Sequence, residues 1–359
     1  MDSKEKYKVI GLMSGTSLDG VDIVSCIIRN REGRWVFAIQ EAQTVQYSAS
    51  WKRRLSEAHA MRADALQALH SEYGKYLGLL VRAFLVKKRI RGVNFIASHG
   101  HTVFHQPEKR FTFQLGSGAA LHAATDLPVV CDFRSLDVAL GGQGAPLVPV
   151  GDRLLFHEYG ICLNIGGIAN LSTELKGKRI AFDICFANMG LNYLASEKNL
   201  TFDRNGTMAS EGTADTEMLN ELTALYNQWR KKKPSLSYEM FTATVQPVLD
   251  RSTLSLEDKL ATFVESIVTE IAAAIPVSAR KQNMLCTGGG AFNSFLVHRL
   301  VEKCGDRVSI IVPDEEVVKF KEAVVFALLG VLRVRNETNC LRSVTGALRD
   351  TSSGIMIGF

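Results

Sequence analysis

The stretch YKVIGLMSGTSLDGVDIVSCIIR, Tyr7 to Arg29, reads as two apolar β-runs joined by a turn that is richer than a turn requires. A plain hairpin needs only a dipeptide such as Asn-Gly or Asp-Gly. Here Ser14, Gly15, Thr16, Ser17, Leu18, Asp19, Gly20, Val21 and Asp22 occupy the join, bringing hydroxyls, glycines and two carboxylates. Either the loop is decoration, or its backbone amides and hydroxyls hold an anion. No G-x-x-x-x-G-K-[ST] is present, so it is not a Walker-type phosphate loop.

Outward from this hairpin, strands and helices interleave. Trp51 to Lys88 has helical character, and VNFIASHGHTVFH (Val93 to His105) is a strand running into a polar turn. FTFQLGSGAALHAAT (Phe111 to Thr125) enters a helix through Gly116-Ser-Gly118, which lacks the third glycine of a dinucleotide fingerprint. DLPVVCDF (Asp126 to Phe133) is a further strand. After GGQGAPLVP (Gly141 to Pro149) the pattern restarts: GICLNIGGIANLSTEL is again strand, glycine turn, strand. Leu260, Phe263, Val264, Ile267, Val268 and Ile271 recur at helical spacing. NMLCTGGGAFNSFLVHRL is a buried strand, three glycines and a helix, and FKEAVVFALLGVLRVRN is an apolar helix opened by Glu322.

Composition excludes several classes. At 359 residues and 46% apolar the chain can hold about two cored domains. The net charge of +5 is scattered, and its one basic run, Arg230 to Lys233 before Pro234, reads as a solvated loop, so no nucleic-acid partner is expected. Seven dispersed cysteines without a C-x-x-C pair point to buried, reduced thiols. The longest apolar run, Ala323 to Leu332, is far below the ~20 residues of a membrane span. No signal peptide is read at the N-terminus, so a cytoplasmic location and no membrane partner are expected. His99 and His101 invite a zinc reading, but no cysteine or carboxylate supports them at ligand spacing. The oligomeric state is left open, a homodimer included.

Three glycine elements each follow an apolar strand: Gly15 to Asp22, Gly166-Gly167, and Gly288-Gly289-Gly290 with Asn293. Singly each is an ordinary turn, since glycine supplies positive φ wherever a chain bends sharply. Jointly they suit a nucleotide, with two hairpins at its phosphates and the third turn near the adenosine. That order resembles the acetate and sugar kinase, heat-shock ATPase and actin superfamily. Within it, GLMSGTSLDGVD, SHGHTVFHQP, CDFRSLDVALGGQGAPLVP, LNIGGIANLS and CTGGGAFN resemble the anhydro-N-acetylmuramic acid kinase family, from about residue 9 to about residue 335.

The resemblance implies an α/β, two-lobed, actin-like (ribonuclease H-like) ATPase fold with an interdomain cleft. Residues 1–140 plus 338–359 would form the first lobe and 141–337 the second. It implies ATP and a magnesium ion as cofactors, with 1,6-anhydro-N-acetylmuramic acid and water as the small-molecule partners. In that reaction water attacks C1, the internal bridge opens, and O6 takes the γ-phosphoryl, a step of cell-wall recycling. An inverting glycosidase uses two carboxylates; here phosphorus can accept the leaving oxygen, so one base suffices. Asp183 is that base by resemblance, with a strand-end turn cap as its bland alternative. The family follows this aspartate with a D-T-G-P-G-N turn, whereas this chain has FDICFAN, keeping Asp183 and Asn188 but not the glycines and proline.

Sugar contacts are implied for His99 and Thr102. Arg134 is expected to pair the lactyl carboxylate, or else Asp132 or Asp137. Glu322 is expected to bond the sugar, or else to serve the start of its helix. Asp19 or Asp22 would orient the magnesium ion through water, with a structural turn role for the other. Two rivals stand beside this reading. One is a related sugar kinase such as a levoglucosan kinase; the other is a non-enzymatic actin-like ATPase module, which would carry a further peptide-binding domain.

Overall fold

Apolar runs separated by short turns favour a meander of neighbouring strands, and this chain builds that meander twice. The computed structural model describes residues 5–15, 18–278 and 280–359, so Thr16 and Ser17 lie outside the described residues. Two compact units result: Met1–Leu155 with Phe320–Phe359, and Phe156–Lys319.

In the first unit, β1 (Lys6–Met13), β2 (Gly20–Arg31) and β3 (Arg34–Gln46) form an antiparallel meander. β4 (Phe95–Ser98) adds parallel to β1, and β7 (Val129–Cys131) adds parallel to β4. The strand Ile355–Ile357 closes the far edge, giving the order β3-β2-β1-β4-β7 and then this last strand. A separate ribbon pairs β5 (His101–Gln106) with β6 (Phe111–Leu115). Ile10, Leu12, Ile23, Tyr73, Leu77, Ile96 and Leu121 form the core between the sheet and its covering helices. The helical stretch expected over 51–88 is two helices, Ala49–Ser56 and Ala63–Lys87. They are parted where Met61 and Arg62 take extended geometry.

In the second unit, β8 (Ile161–Ile165), β9 (Ile168–Leu175) and β10 (Lys178–Phe186) form the meander. β11 (Gln282–Thr287) and β12 (Val308–Ile311) add in parallel, in the order β10-β9-β8-β11-β12. The helix Leu256–Ala274 buries Leu260, Phe263, Val264, Ile267, Val268 and Ile271, the face its periodicity marks. A three-strand meander continued by two parallel strands is the ribonuclease H-like order, and its occurrence in both units makes this the two-lobed actin-like fold.

The units meet in the chain at Leu155/Phe156 and Lys319/Phe320, not at 140/141 and 337/338. The reason is packing. The helix Val148–Leu155 lies on β3. The helix Glu315–Val334 runs so close to β1 that a Cβ on Gly11 would sit 2.1 Å from the Ala323 carbonyl oxygen. The glycine-rich 141–147 stretch is therefore part of the first unit rather than a boundary. All seven cysteines are free, and all but the half-buried Cys131 are buried. Among the described residues, no helix is long and apolar enough to cross a membrane.

Candidate active site

The β1–β2 join carries the first group of expected residues. Met13 opposes Asp22, so the loop is closed by the last ladder pair of the hairpin. Leu18 holds a left-handed φ of 58°, which a leucine adopts only when its surroundings enforce it. Ser14 is buried, with its Oγ 2.7 Å from the Tyr47 hydroxyl and 3.2 Å from His101 Nδ1. Tyr47 bonds in turn to Tyr73. Burial brings the His101 pKa down to about 4, so this chain of polar groups is neutral at physiological pH. Asp22 accepts the Thr44 hydroxyl at 2.5 Å, and burial together with the Asp19 charge raises its pKa. Gly20 is required by packing, since a Cβ there would lie 2.4 Å from the Val45 carbonyl oxygen. Gly15 and Asp19 lie in the loop and Val21 is buried on β2.

The same unit brings His99 and Arg134 together. Arg134 Nε donates to His99 Nε2 at 3.0 Å, and Arg134 Nη1 donates to the Gly144 carbonyl at 2.6 Å. Because a guanidinium only donates, His99 Nε2 must be unprotonated and Nδ1 carries the hydrogen, which points to the Gly100 carbonyl at 2.9 Å. Burial and the Arg134 charge hold the His99 pKa well below its usual value. Burial also lowers the Arg134 pKa to about 10, with the Glu322 carboxylate acting the other way. Neither expected aspartate pairs with Arg134. Asp132 accepts the Ser135 N–H at 3.2 Å. Asp137 is fully buried and receives the Gly144 N–H at 2.8 Å, the Thr345 hydroxyl at 2.8 Å and the Cys340 thiol at 3.0 Å. Asp137 thus fixes the 141–147 loop against which Arg134 is set. The sequence signal for it was a lone carboxylate in the apolar run Leu136 to Leu140.

Glu322 does not open its helix. Glu315 and Glu316 do, and Glu322 stands two turns further in, too deep to serve the helix start. The residue is exposed as a whole, yet its carboxyl lies among protein atoms whose desolvation raises its pKa, against the lowering effect of Lys321 and Arg134. Lys321 itself is buried against Asp152 at 2.7 Å. Thr102 is half-buried on β5 opposite Gln114. His99 and His101 are both committed to these hydrogen bonds, and among the described residues no group of three metal-ligating side chains occurs.

In the second unit the Gly166-Gly167 turn is braced by what survives of the altered segment. Asn188 N–H donates to the Gly166 carbonyl at 3.0 Å, and Ala187 N–H to the Gly167 carbonyl at 2.8 Å. Asn188 Nδ2 donates to the Ile165 carbonyl at 3.2 Å. The late glycines divide by role. A Cβ on Gly288 or Gly290 would lie 2.7 Å from the Ile165 carbonyl oxygen or 2.3 Å from the Ile165 side chain, whereas one on Gly289 would meet only Asn188 Nδ2 at 3.3 Å. Asn293 caps the helix Ser294–Cys304 through the Leu296 N–H at 3.0 Å.

Register aligns Thr287, Asn164, Asn170 and Asp183 in one row across β11, β8, β9 and β10. Directly opposed residues share a face, so the row collects polar side chains near both glycine turns. Asn164 and Asn170 are not among the expected site residues; their one signal in the sequence is that each interrupts an apolar strand beside Gly166-Gly167. Asp183 is half-buried, and its Oδ2 accepts the Leu236 N–H at 3.0 Å. Burial raises its pKa and this hydrogen bond opposes the shift. In place of a Gly-Pro turn, β10 continues to Phe186 with a register shift between Asp183 and Cys185. The basic run is not simply solvated: Arg230 makes a two-bond contact with the buried Glu270, at 2.6 and 2.9 Å, and the Lys233 ammonium lies 3.3 Å from the Phe182 ring centroid.

Comparison with known proteins matches residues 7–358 to the model of the family described as anhydro-N-acetylmuramic acid kinase. A Sulfurimonas denitrificans protein of that name is 33% identical, covering 96% of this chain and 98% of its own. Its namesake in Shewanella sp. (strain MR-7) is 33% identical over 97% of this chain and 98% of its own. One from Francisella tularensis subsp. novicida is 32% identical over 96% and 97% respectively.

Proposed function

Because the chain belongs to the anhydro-N-acetylmuramic acid kinase family, we propose that it opens the 1,6-anhydro ring of 1,6-anhydro-N-acetylmuramic acid and phosphorylates O6 from ATP, releasing N-acetylmuramic acid 6-phosphate and ADP. The observation that carries this reading is the match along residues 7–358 together with Asp183, a half-buried carboxylate with one oxygen held by a backbone amide. Asp183 takes a proton from the water that attacks C1. O6 gains nucleophilic character only as the bridge opens, and it is captured by phosphorus. One carboxylate is then enough, where hydrolysis of a glycosidic bond to two free products needs a second as acid.

Arg134 is the group for the lactyl carboxylate. Its Nε and Nη1 are engaged by His99 and Gly144, so the guanidinium is oriented before the sugar arrives. His99 positions Arg134, while Thr102 and Glu322 bond the sugar hydroxyls. In the first unit the loop amides of Gly15 to Asp22, with the Thr16 and Ser17 hydroxyls, hold phosphate. In the second, the amides of Gly166-Gly167 hold phosphate, and Gly288 to Gly290 with Asn293 border the adenosine. Asp19 or Asp22 would hold a magnesium ion through water, Thr44 occupying one oxygen of Asp22 and leaving the other. Such an ion supplies neutralisation of phosphate charge.

The test is ADP release with 1,6-anhydro-N-acetylmuramic acid against levoglucosan, with the sugar product weighed after reaction in H₂¹⁸O. The expected result is ADP and sugar phosphate in equal amounts, one ¹⁸O at C1, and turnover of the acidic sugar far above levoglucosan. Faster turnover of levoglucosan, or no ¹⁸O in the product, would overturn the reading.

A further inference from the structure

The segment 231–237 follows the helix Thr216–Arg230 and carries Lys231 to Lys233 of the basic run that the sequence alone marks as solvated. It is anchored at several points. Lys233 N–H donates to the Trp229 carbonyl at 2.7 Å, and the Lys233 ammonium covers the ring of Phe182. The Leu236 side chain is buried in the core of the second unit. Ser237 Oγ accepts the Met240 N–H at 3.3 Å. Between these anchors the Leu236 amide meets Asp183 Oδ2 at 3.0 Å. Phe182 and Asp183 are consecutive on β10, so the segment grips both the strand and the carboxylate. Asp183, Lys233 and Leu236 also line one cavity of about 150 Å³ with Trp229 and Glu270.

We propose that residues 231–237 form a positioning clasp for Asp183, fixing Oδ2 through the Leu236 amide so that Oδ1 is the oxygen that acts on the attacking water. The inference rests on Asp183 being the base. A backbone N–H suits this task because it cannot ionise, has no rotamer to lose, and here cannot swing while the Leu236 side chain is buried. The clasp also answers the loss of the Gly-Pro turn after Asp183: β10 runs on with a bulge, and restraint comes from outside the strand. Leu236 is a positioning residue: its amide makes the contact and its buried side chain holds the amide in place.

The experiment replaces the Leu236 amide by an ester, incorporating 2-hydroxy-4-methylpentanoate at that position, which removes the N–H and keeps the side chain. Loss of a hydrogen bond to a charged acceptor should move the acid limb of the pH–rate profile up by roughly one unit and lower kcat roughly tenfold, with KM for ATP unchanged. Lys233→Ala, which loosens the clasp without removing the donor, should shift the same limb in the same direction by less. A folded ester protein with the wild-type limb and kcat, alongside an inactive Asp183→Asn, overturns the clasp alone. An Asp183→Asn protein that keeps the wild-type rate overturns the base reading and the clasp with it.

Discussion

The two sheets share one strand order, yet their polar groups are tied down differently. In the first unit side chains hold side chains: His101 to Ser14 to Tyr47 to Tyr73, His99 to Arg134, Lys321 to Asp152, and Asp137 to Thr345 and Cys340. In the second, the groups near the glycine turns are held by main chain: Asn188 by the Ile165 carbonyl, Asp183 by the Leu236 amide, Asn293 by the Leu296 amide. Side-chain networks transmit the loss of one member to the next, whereas main-chain braces confine it. The first unit should therefore respond to substitution cooperatively and the second locally. That contrast fits the proposed division of labour, a polar sugar read by several oriented groups and a base held by a fixed donor.

The largest expected effect lies in the second unit. On the proposed role of Asp183, Asp183→Asn keeps shape and hydrogen-bonding capacity but removes the base, and should lower kcat by ~10²–10⁴-fold. Bridge opening and phosphoryl transfer should fall together, while calorimetry returns wild-type ATP affinity. Since burial raises the Asp183 pKa, and a base acts deprotonated, the wild-type rate should decline with falling pH above the ordinary carboxylate range. Next comes the first unit. Arg134→Met should raise KM for the anhydro sugar by roughly 10–100-fold, the worth of charge-assisted hydrogen bonds. In a double-mutant cycle, His99→Ala should cost much less when Arg134 is already Met. Additive effects would break the contrast between the units, because they would show His99 acting without Arg134.

Where the sequence was legible, it was through repetition of a physical pattern. The restart after Pro149 marks the second meander, and the spacing of Leu260 to Ile271 marks a helix face that is in fact buried. The unit boundaries were hidden because glycine and proline in 141–149 look like a linker, while a buried Asp137 gathers that loop inward. Glu322 reads as a helix start in the sequence because Asp314, Glu315, Glu316 and Lys319 mask the first turns of an otherwise apolar helix. The pairing of Arg134 with His99 rather than an aspartate depends on tertiary geometry between β4 and the segment after β7. The Leu236 contact was invisible for a simpler reason: a backbone donor has no letter of its own.

A third prediction sharpens the local character of the second unit. Gly289→Val places a side chain where, of the late glycines, only Gly289 has room, with Asn188 Nδ2 at 3.3 Å as the one neighbour. The protein should fold, and ATP affinity should drop roughly tenfold, the consequence of blocking close backbone approach to a ligand. Sugar affinity should stay unchanged. Unaltered ATP binding by calorimetry in the folded variant would remove Gly288 to Gly290 from the nucleotide site.

The smallest effect returns to Asp183, now as a stability term. Its folded pKa is raised, so the ionised form carries a desolvation cost in the native state that it lacks in the unfolded chain. That cost is fully present above the folded pKa and disappears as pH falls below the unfolded value, where the carboxyl is neutral in both states. Asp183→Asn cannot ionise and can still accept the Leu236 N–H. The variant should therefore melt slightly above the wild type at pH 8, by less than about 1 kcal/mol for a half-exposed group, and the gap should close toward pH 4. Scanning fluorimetry of both proteins across that range reads the difference directly. A gap that widened on acidification would mean that the ionised carboxylate is net stabilised in the fold, with the Leu236 hydrogen bond outweighing desolvation. The main-chain brace would then be stronger than the contrast between the two units assumes.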